Sequence, residues 1–490
     1  MQLLTKKCVN YVVTSTFPPE FGGRTKSLLQ RTKLLSENFK LDFMLISTNY
    51  HPNYYTIYRK YKENEYINEK MKFLNIYDYF SNRLYENNEI IKHSIEILGY
   101  QRFEVEAGKI YRYFKDGIYE IYRQYDKKTG ILKFQDIMDV YTRKRKERYE
   151  YNDFGVCHKK TVYKQNSTHK LQEIFYDDLG KVYLTKDFNG FEDSKLVRIY
   201  LFIEKKIVMF ENESKFFQYA FDQILEEGGV TFCDARLLDK ALLESKVNTQ
   251  KYFVLHSSHN IDNNLRKSYK YLMDNAEKAS KIIVLTHEQS QDLLEIGINP
   301  NKIEVIPHSI NEKAFVSEIQ NRDKKFVYLG RLAPEKNIHH IVEAFAQVHD
   351  LYPGYLLEIY GEGESYEMIS QLINDKGLSE SIKLMGRTND IPAVFEKSIA
   401  SLITSEFEGF GLVIMESLYY RCPVISYDFK YGPKDLIKNG ENGYIVEKNN
   451  VEAFAHSMIN VINSPLIDVK LSGDFYFVST IKKWSKLILN

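Results

Sequence analysis

Two glutamates eight positions apart, Glu408 and Glu416, flank a turn containing Gly409, Phe410 and Gly411 in the stretch SEFEGFGLVIMESLYY. Read as strand ASLITSE, turn EGFG and helix GLVIMESLYY, the stretch sets the amides of Gly411 and Leu412 at a helix N-terminus, where an anion is favoured. A phosphate fits there. Glu416 follows over a turn later, where a carboxylate can accept two ribose hydroxyls, and Glu408 precedes the turn. Taken alone, the pair has a plainer reading, a solvated loop residue and a polar-face residue, because two glutamates at one spacing recur by chance. Three further clusters point the same way. In LGRLAPEKN, Gly330 and Arg331 end a strand and Lys336 follows in the next turn; the two cations suit a diphosphate leaving group, or are surface charge. In FPPEFGGRTKS, Gly22 and Gly23 admit close backbone approach at a strand-to-helix turn, or form an ordinary tight loop. In LHSSHN, His256 and His259 end a strand, where histidine serves as a structural hydrogen-bond donor as well as a catalyst.

The elements that must position these residues are legible as periodicity. Residues 8–50 read as strand, turn, helix and strand, the opening of an α/β domain. Between about 100 and 210 the helical period gives way to short alternating segments such as GIYEIYRQY and KVYLTKDF. Three turns there, YDKKTG, YNDFG and YDDLG, begin 26 and 25 residues apart, each an aromatic followed by Asx and then Gly, so a repeated hairpin meander is expected. Apolar strands ending in polar loops resume with KYFVLHSSHN and KIIVLTHEQS. A second α/β series starts near residue 323, from KKFVYLGR to CPVISYD. Strands alternating with helices imply a parallel sheet with ligands at the strands' carboxyl ends, where every polar motif falls.

Composition bounds the possibilities. At 490 residues the chain is long enough for two or three domains. With 67 Lys+Arg against 66 Asp+Glu, nothing in the balance calls for nucleic acid or a membrane surface. Cys8, Cys157, Cys233 and Cys422 are scattered without metal or disulfide spacing and read as buried thiols in a reducing compartment. No apolar run reaches spanning length and the N-terminus does not read as a leader. A cytoplasmic protein is expected, at most peripheral at the inner face of a membrane. The run RKRKER (143–148) puts five cations in six residues, a solvated strand face or a track for a polyanion.

GGRTKS, LHSSHN, GRLAPEKN, IYGEG and SEFEGFGLVIMES followed by YDFKYGPKDLIKNGENGYIV resemble the retaining GT-B glycosyltransferases that use nucleotide sugars. The likeness covers about three quarters of the chain. The meander and the YGPKD loop narrow it to the bacterial branch of wall-teichoic-acid α-glycosyltransferases, including poly(glycerol-phosphate) α-glucosyltransferase, and of enzymes that glycosylate serine-rich or Ser-Asp-repeat adhesins. The resemblance implies an α/β GT-B fold, two Rossmann-like domains facing a cleft with an inserted antiparallel β-meander. It divides the chain into 1–95 and 211–318 (acceptor domain), 96–210 (meander, for acceptor and oligomer contacts), 319–475 (nucleotide-sugar domain) and a helix, 476–490, crossing back.

Carried over, the family pattern gives Gly23, with Gly22, backbone contact to the diphosphate. Arg331 and Lys336, beside Gly330, stabilise the leaving nucleotide. Gly411 and Leu412 bind the diphosphate, Glu416 the ribose, and Glu408 lies near the donor sugar; either His256 or His259 contacts the transferred sugar. The expected reaction moves glucose or N-acetylglucosamine from a UDP-sugar, by front-face transfer with retention. The acceptor is a repetitive anionic polymer, poly(glycerol phosphate) or a related teichoic acid first, or else serines of adhesin repeats. No DxD-like pair is placed to hold a metal, so metal independence and no cofactor are expected, and the aromatic-rich meander favours a homo-oligomer. A scaffold that kept the fold and lost the chemistry would be expected to have lost part of the constellation, which is whole here. A dehydrogenase is disfavoured because no G-x-G-x-x-G follows the first strand.

Overall fold

The computed structural model describes residues 10–83, 89–261, 264–312 and 322–488. Cys8 and the expected boundary at 318/319 lie outside them. The chain divides into two compact units, Met1–Lys251 and Tyr252–Asn490.

In the first unit, β1 (Asn10–Thr14), β2 (Phe43–Ser47), β3 (Met71–Asn75) and β14 (Val230–Cys233) run parallel in the order β14-β1-β2-β3. β1, β2 and β14 are buried along their whole length, as parallel strands covered on both faces must be, and their sequences are correspondingly apolar runs. Helices α1 (Gly23–Asn38), α2 (Tyr54–Glu63), α3 (Ile76–Ser81), α4 (Glu213–Ile224) and α5 (Asp239–Leu243) accompany them. The buried Arg31 of α1 grips Asp234 through two bonds of 2.8 and 2.7 Å.

Between β3 and β14 lies the meander, a ten-stranded antiparallel sheet. Its strands are β4 (Gln101–Glu106), β5 (Ile110–Lys115), β6 (Ile118–Tyr125), β7 (Leu132–Met138), β8 (Arg145–Tyr151), β9 (Cys157–Tyr163), β10 (Lys170–Tyr176), β11 (Val182–Phe188), β12 (Leu196–Ile203) and β13 (Lys206–Phe210). Each pairs only with its sequence neighbours. The three turns seen in the sequence are each capped by an Asx side chain. Oδ1 accepts two backbone amides in each, those two and three residues on from Asp126 (Lys128 and Thr129), and those two and four on from Asn152 (Phe154 and Val156) and Asp177 (Leu179 and Lys181). The glycine that follows, Gly130, Gly155 or Gly180, takes φ of +70°, +77° or +77°. A fourth turn of the same kind at Asp139 escaped the pattern because Arg143, at φ +56°, stands in the glycine's place.

That turn also divides the cation run. Arg145 and Arg148 both bond the buried Asp136 carboxylate on β7, at 2.9 and 2.7 Å, and Arg148 lies 3.8 Å over the Phe134 ring. Only Arg143, Lys144 and Lys146 are left exposed.

The meander is seated on the α/β part of its unit. The Tyr50 hydroxyl bonds His158 Nδ1 and its ring meets Phe175 edge-on at 4.8 Å. Arg83 Nε reaches Asp178 at 2.9 Å while Nη1 reaches Asp78, and Lys186 bridges to Glu213 at 2.6 Å. Burial pushes the His158 imidazole far below its ordinary range, so it sits there neutral.

The second unit begins within β15 (Gln250–Val254), which a short antiparallel pair follows, β16 (Asn260–Ile261) with β17 (Asn264–Leu265). α6 (Lys267–Asp274), β18 (Lys281–Val284), α7 (His287–Glu295) and β19 (Ile303–Val305) follow, the strands β15, β18 and β19 being parallel neighbours. Its larger sheet is built from β20 (Lys325–Leu329), β21 (Leu356–Tyr360), β22 (Ile382–Gly386), β23 (Ala400–Ile403), β24 (Val424–Tyr427) and β25 (Gly443–Val446). These are joined by α8 (Ile338–Leu351), α9 (Tyr366–Asp375), α10 (Ile391–Glu396), α11 (Leu412–Tyr419) and α12 (Pro433–Leu436). α13 (Val451–Asn463) and α14 (Phe477–Ile488) close the chain. The sheet order β22-β21-β20-β23-β24-β25 is doubly wound, and it reverses between β20 and β23. α14 returns to the first strands of the unit, where its Leu487 carbonyl takes the Tyr252 hydroxyl at 3.0 Å. No helix among the described residues is long and apolar enough to cross a membrane.

The turn geometry gives an ordered expectation. An alanine at Gly130 or Gly180 meets open space and costs only the left-handed backbone, about 1 kcal/mol. At Gly155 the new Cβ would lie 2.0 Å from the Ile91 carbonyl oxygen. Thermal unfolding of the three Gly→Ala variants should therefore rank Gly155→Ala as clearly the least stable, and equal losses at all three would contradict this account.

Candidate active site

The loops after β20 and β23 flank the point where the strand order reverses, the place where an open α/β sheet presents its ligands. Gly330 and Arg331 leave β20 beside the loop after β21, with the Gly330 amide on the Tyr360 carbonyl at 3.0 Å and the Leu332 amide on the Glu362 carbonyl at 2.9 Å. The Arg331 carbonyl accepts the Tyr328 hydroxyl at 2.9 Å, which fixes the backbone and leaves the guanidinium outward. That side chain is 66% exposed and touches Glu335 at 2.5 Å, an exposed pair that restrains the guanidinium little. The charge is available to a ligand.

Lys336 ends a short 3-10 turn, Pro334–Lys336, that is strapped to the end of β23. The Thr404 hydroxyl is shared between the carbonyls of Lys336 and Asn337, at 2.8 and 3.0 Å. The Glu406 amide bonds the Glu335 carbonyl at 2.7 Å, and the Glu406 carboxylate receives Asn337 and Lys448. From this braced turn Lys336 Nζ meets the Glu408 carboxylate, which also accepts the Ser405 hydroxyl at 3.0 Å. With side-chain exposures of 15% and 29%, the two ions are partly desolvated, and each needs the other.

After Glu408 the chain turns through Gly409, where a side chain is excluded: a Cβ would stand 2.0 Å from the His256 carbonyl oxygen. Gly411, at φ +83°, caps α11, whose first turn has neither a capping side chain nor an acidic residue, so its leading amides are open to an anion. Ile414, Met415 and Leu418 anchor α11 in the core, and Glu416 stands half-buried in its second turn.

The two histidines separate. His256 is half-buried against the Gly409 turn, its ring stacked on His308 at 5.7 Å, and His308 in turn meets Phe410 edge-on at 5.2 Å. His259 is wholly buried, stacked parallel on Tyr431 at 6.0 Å, with Nδ1 3.3 Å from the Tyr431 hydroxyl. Burial lowers its pKa to about 4, and it is uncharged at neutral pH. Lys336, Glu408, Gly409, Gly411, Leu412 and His256 are thus brought together, with Arg331 and Glu416 on adjoining turns, while His259 belongs to the packing behind them. Gly22 and Gly23 stand in the first unit, Gly22 capping α1 and Gly23 its first residue; a Cβ on Gly22 meets nothing within 4 Å.

Sequence reading missed Thr404, Ser405 and Glu406, although their place at a strand end, in ASLITSE, was the available signal. It assigned no role to Lys430 and Tyr431, although they stand in the stretch YDFKYGPKD that it singled out, and it missed Asp292, for which no local signal exists.

Residues 309–474 match the family of glycosyl transferases group 1. The chain is a glycosyltransferase. It is 28% identical to the poly(ribitol-phosphate) α-N-acetylglucosaminyltransferase of Staphylococcus aureus (strain COL), over 95% of this chain and 96% of that one. Identity to the poly(glycerol-phosphate) α-glucosyltransferase of Bacillus subtilis (strain 168) is 26%, over 94% and 71%. Identity to the GtfA subunit of the UDP-N-acetylglucosamine–peptide N-acetylglucosaminyltransferase of Streptococcus agalactiae is 27%, over 70% and 69%. The crystal structure of TarM superposes with a TM-score of 0.85 over 98% of both chains at 24% identity. This glycosyltransferase has the GT-B fold, with the antiparallel meander as an insertion.

The two histidines give a paired expectation. His256→Ala should lower turnover at near-parent thermal stability, whereas His259→Ala should lower the melting temperature. Because folded His259 resists protonation that the unfolded chain accepts below its ordinary value of 6.5, stability it confers is present above that pH and is lost as pH falls toward 4. Melting curves from pH 7 to 4.5 should therefore fall less steeply in the His259 variant.

Proposed function

We propose that this glycosyltransferase moves glucose or N-acetylglucosamine, with retention, from a UDP-sugar to hydroxyls of poly(glycerol phosphate) or a related wall teichoic acid. The observation that carries the donor side is the Lys336–Glu408 pair set beside the open amides of α11. As the sugar–phosphate bond breaks, negative charge grows on the departing diphosphate, and Lys336, Arg331 and the helix amides are the groups that stabilise it. Glu416 holds the ribose diol, Glu408 orients the sugar while balancing Lys336, and His256 contacts the transferred sugar. These cations supply the charge, so turnover persists in excess EDTA.

Likeness along nearly the whole chain to two polyol-phosphate glycosyltransferases supports the polymer acceptor. Likeness to the GtfA subunit supports the second reading, serines of adhesin repeats, over a smaller share of the chain. The exposed Arg143, Lys144 and Lys146 of the meander suit either polyanion. Buried thiols at Cys233 and Cys422 fit the cytoplasm, with the acceptor met at the inner face of the membrane. The edge strand β13 exposes Ile207 and Met209 at 65% and 51%, and a second copy of the chain is the proposed cover.

The reading is tested by a matrix of UDP-glucose and UDP-N-acetylglucosamine against poly(glycerol phosphate), poly(ribitol phosphate) and a Ser-Asp-repeat peptide. One donor should give transfer to a polyol phosphate; transfer to peptide alone selects the second reading, and nucleotide binding without turnover removes both. Lys336→Ala should cut kcat about a hundredfold or more, the scale of one lost charge-stabilising group. Glu416→Ala should chiefly weaken UDP binding. In light scattering the parent should exceed the 57.8 kDa of one chain, and Ile207→Asp should bring it down.

A further inference from the structure

Behind the catalytic turn, the segment 428–435 is seated on α7. Lys430 Nζ lies 2.7 Å from both carboxylate oxygens of Asp292, and the Tyr431 hydroxyl donates to Oδ2 of the same carboxylate at 2.5 Å. Further along, Asp435 accepts the His287 amide at 2.8 Å and Lys434 pairs with Glu288 at 3.1 Å. Tyr431 is wholly buried and Asp292 nearly so, and His259 stacks on the Tyr431 ring. Two residues of this segment are bonded directly to the site. The Glu408 amide donates to the Lys430 carbonyl and the Tyr431 amide donates to the Glu408 carbonyl, both at 3.0 Å. A Cβ on Gly432 would lie 1.9 Å from the Phe410 carbonyl oxygen, so the two loops nest without a gap.

We infer that Tyr431 and Asp292 are positioning residues, which hold the backbone of Glu408 against the His256 strand end through the Asp292–Tyr431–Lys430 cluster on α7. The physical reason is the direction of the bonds. Glu408 carries a side chain that must reach Lys336 and the donor, and its own amide and carbonyl have no helix or sheet to hold them. The Lys430–Tyr431 backbone supplies both bonds, and that backbone is anchored in turn by one buried carboxylate receiving two side chains. Loss of the Tyr431 hydroxyl removes one of the two side chains that anchor this backbone to Asp292 without touching any residue of the site, and a displacement of about 1 Å at a catalytic group can cost a large factor in rate.

This inference rests on the UDP-sugar reading of the site, and the experiment keeps the two apart. Steady-state turnover of the UDP-sugar is measured with the full chain for the parent, Tyr431→Phe, Asp292→Asn, Glu408→Gln and the double variant Tyr431→Phe/Glu408→Gln, beside UDP affinity by calorimetry. Tyr431→Phe and Asp292→Asn should each lower kcat about tenfold or more, leaving UDP affinity within about twofold of the parent, since the ribose and diphosphate contacts are elsewhere. In the Glu408→Gln background, Tyr431→Phe should cost little further, the mark of one residue acting through another. A merely structural Tyr431 would lower the melting temperature and multiply its effect with that of Glu408→Gln, and this result overturns the positioning role. Parent kcat in both single variants overturns it as well. A parent that binds UDP yet turns over no UDP-sugar overturns the catalytic reading, and with it the inference.

Discussion

Lys336 and Glu408 are separated by 72 positions in the chain and meet as a partly buried ion pair, one from the turn after β20 and the other from the turn after β23. A cation held at 15% exposure without a partner would be strongly unfavourable, and the carboxylate meets the same constraint. The pair lets a site keep positive charge in place, neutralised but not locked away. On the proposed reading, a diphosphate beside α11 would compete for the same ammonium, and the cation would turn from one anion to another without being newly desolvated. Much of the surrounding structure can be understood as what keeps the two turns at this distance.

That restraint is mostly backbone. Thr404 ties the Lys336 turn to the end of β23, Glu406 ties it again through Glu335 and Asn337, and the Lys430–Tyr431 pair holds Glu408 from the other side. The close approach of Gly409 to the His256 carbonyl then brings the end of β15, the strand on which this unit opens, into the same cluster. The doubly wound order explains why these loops meet at all. β20 and β23 are neighbours whose connections depart to opposite sides, and their carboxyl ends leave the crevice that the ion pair fills.

What was legible in the sequence follows from the range over which each signal acts. Strands such as NYVVT and FMLIS are mostly apolar because both faces are covered, and the Asx-Gly turns are local devices whose hydrogen bonds close within a few residues, so fold class and meander could be read directly. The motif residues were legible because strand-end position and charge type are also local. The different surroundings of His256 and His259 were not, since both follow the same strand, and only the packing of His259 against Tyr431, 172 positions away, distinguishes them. Asp292 was invisible for the same reason: in HEQSQDLLE it is one more polar residue of an amphipathic helix, and its partners lie 138 and 139 positions on. Nor does the sequence disclose that Asp136, on the neighbouring strand, takes two of the five cations of RKRKER.

The meander shows how such an insertion can be large without disturbing the domain that carries it. Ten strands in strict sequence order need no crossover, and each new hairpin adds its own turn, so the sheet grows at its edge and the parallel strands β1, β2, β3 and β14 keep their order. Growth of this kind leaves two edges, β4 and β13. β4 exposes Phe103 and Val105 between the charged Arg102 and Glu104, the kind of charge that discourages further pairing, and β13 exposes Ile207 and Met209 beside a single lysine. The internal pairing of Arg145 and Arg148 stiffens the middle of the sheet, and the contacts a long anionic acceptor could use are left to the turn bearing Arg143 and Lys144 and to Lys146 beside it.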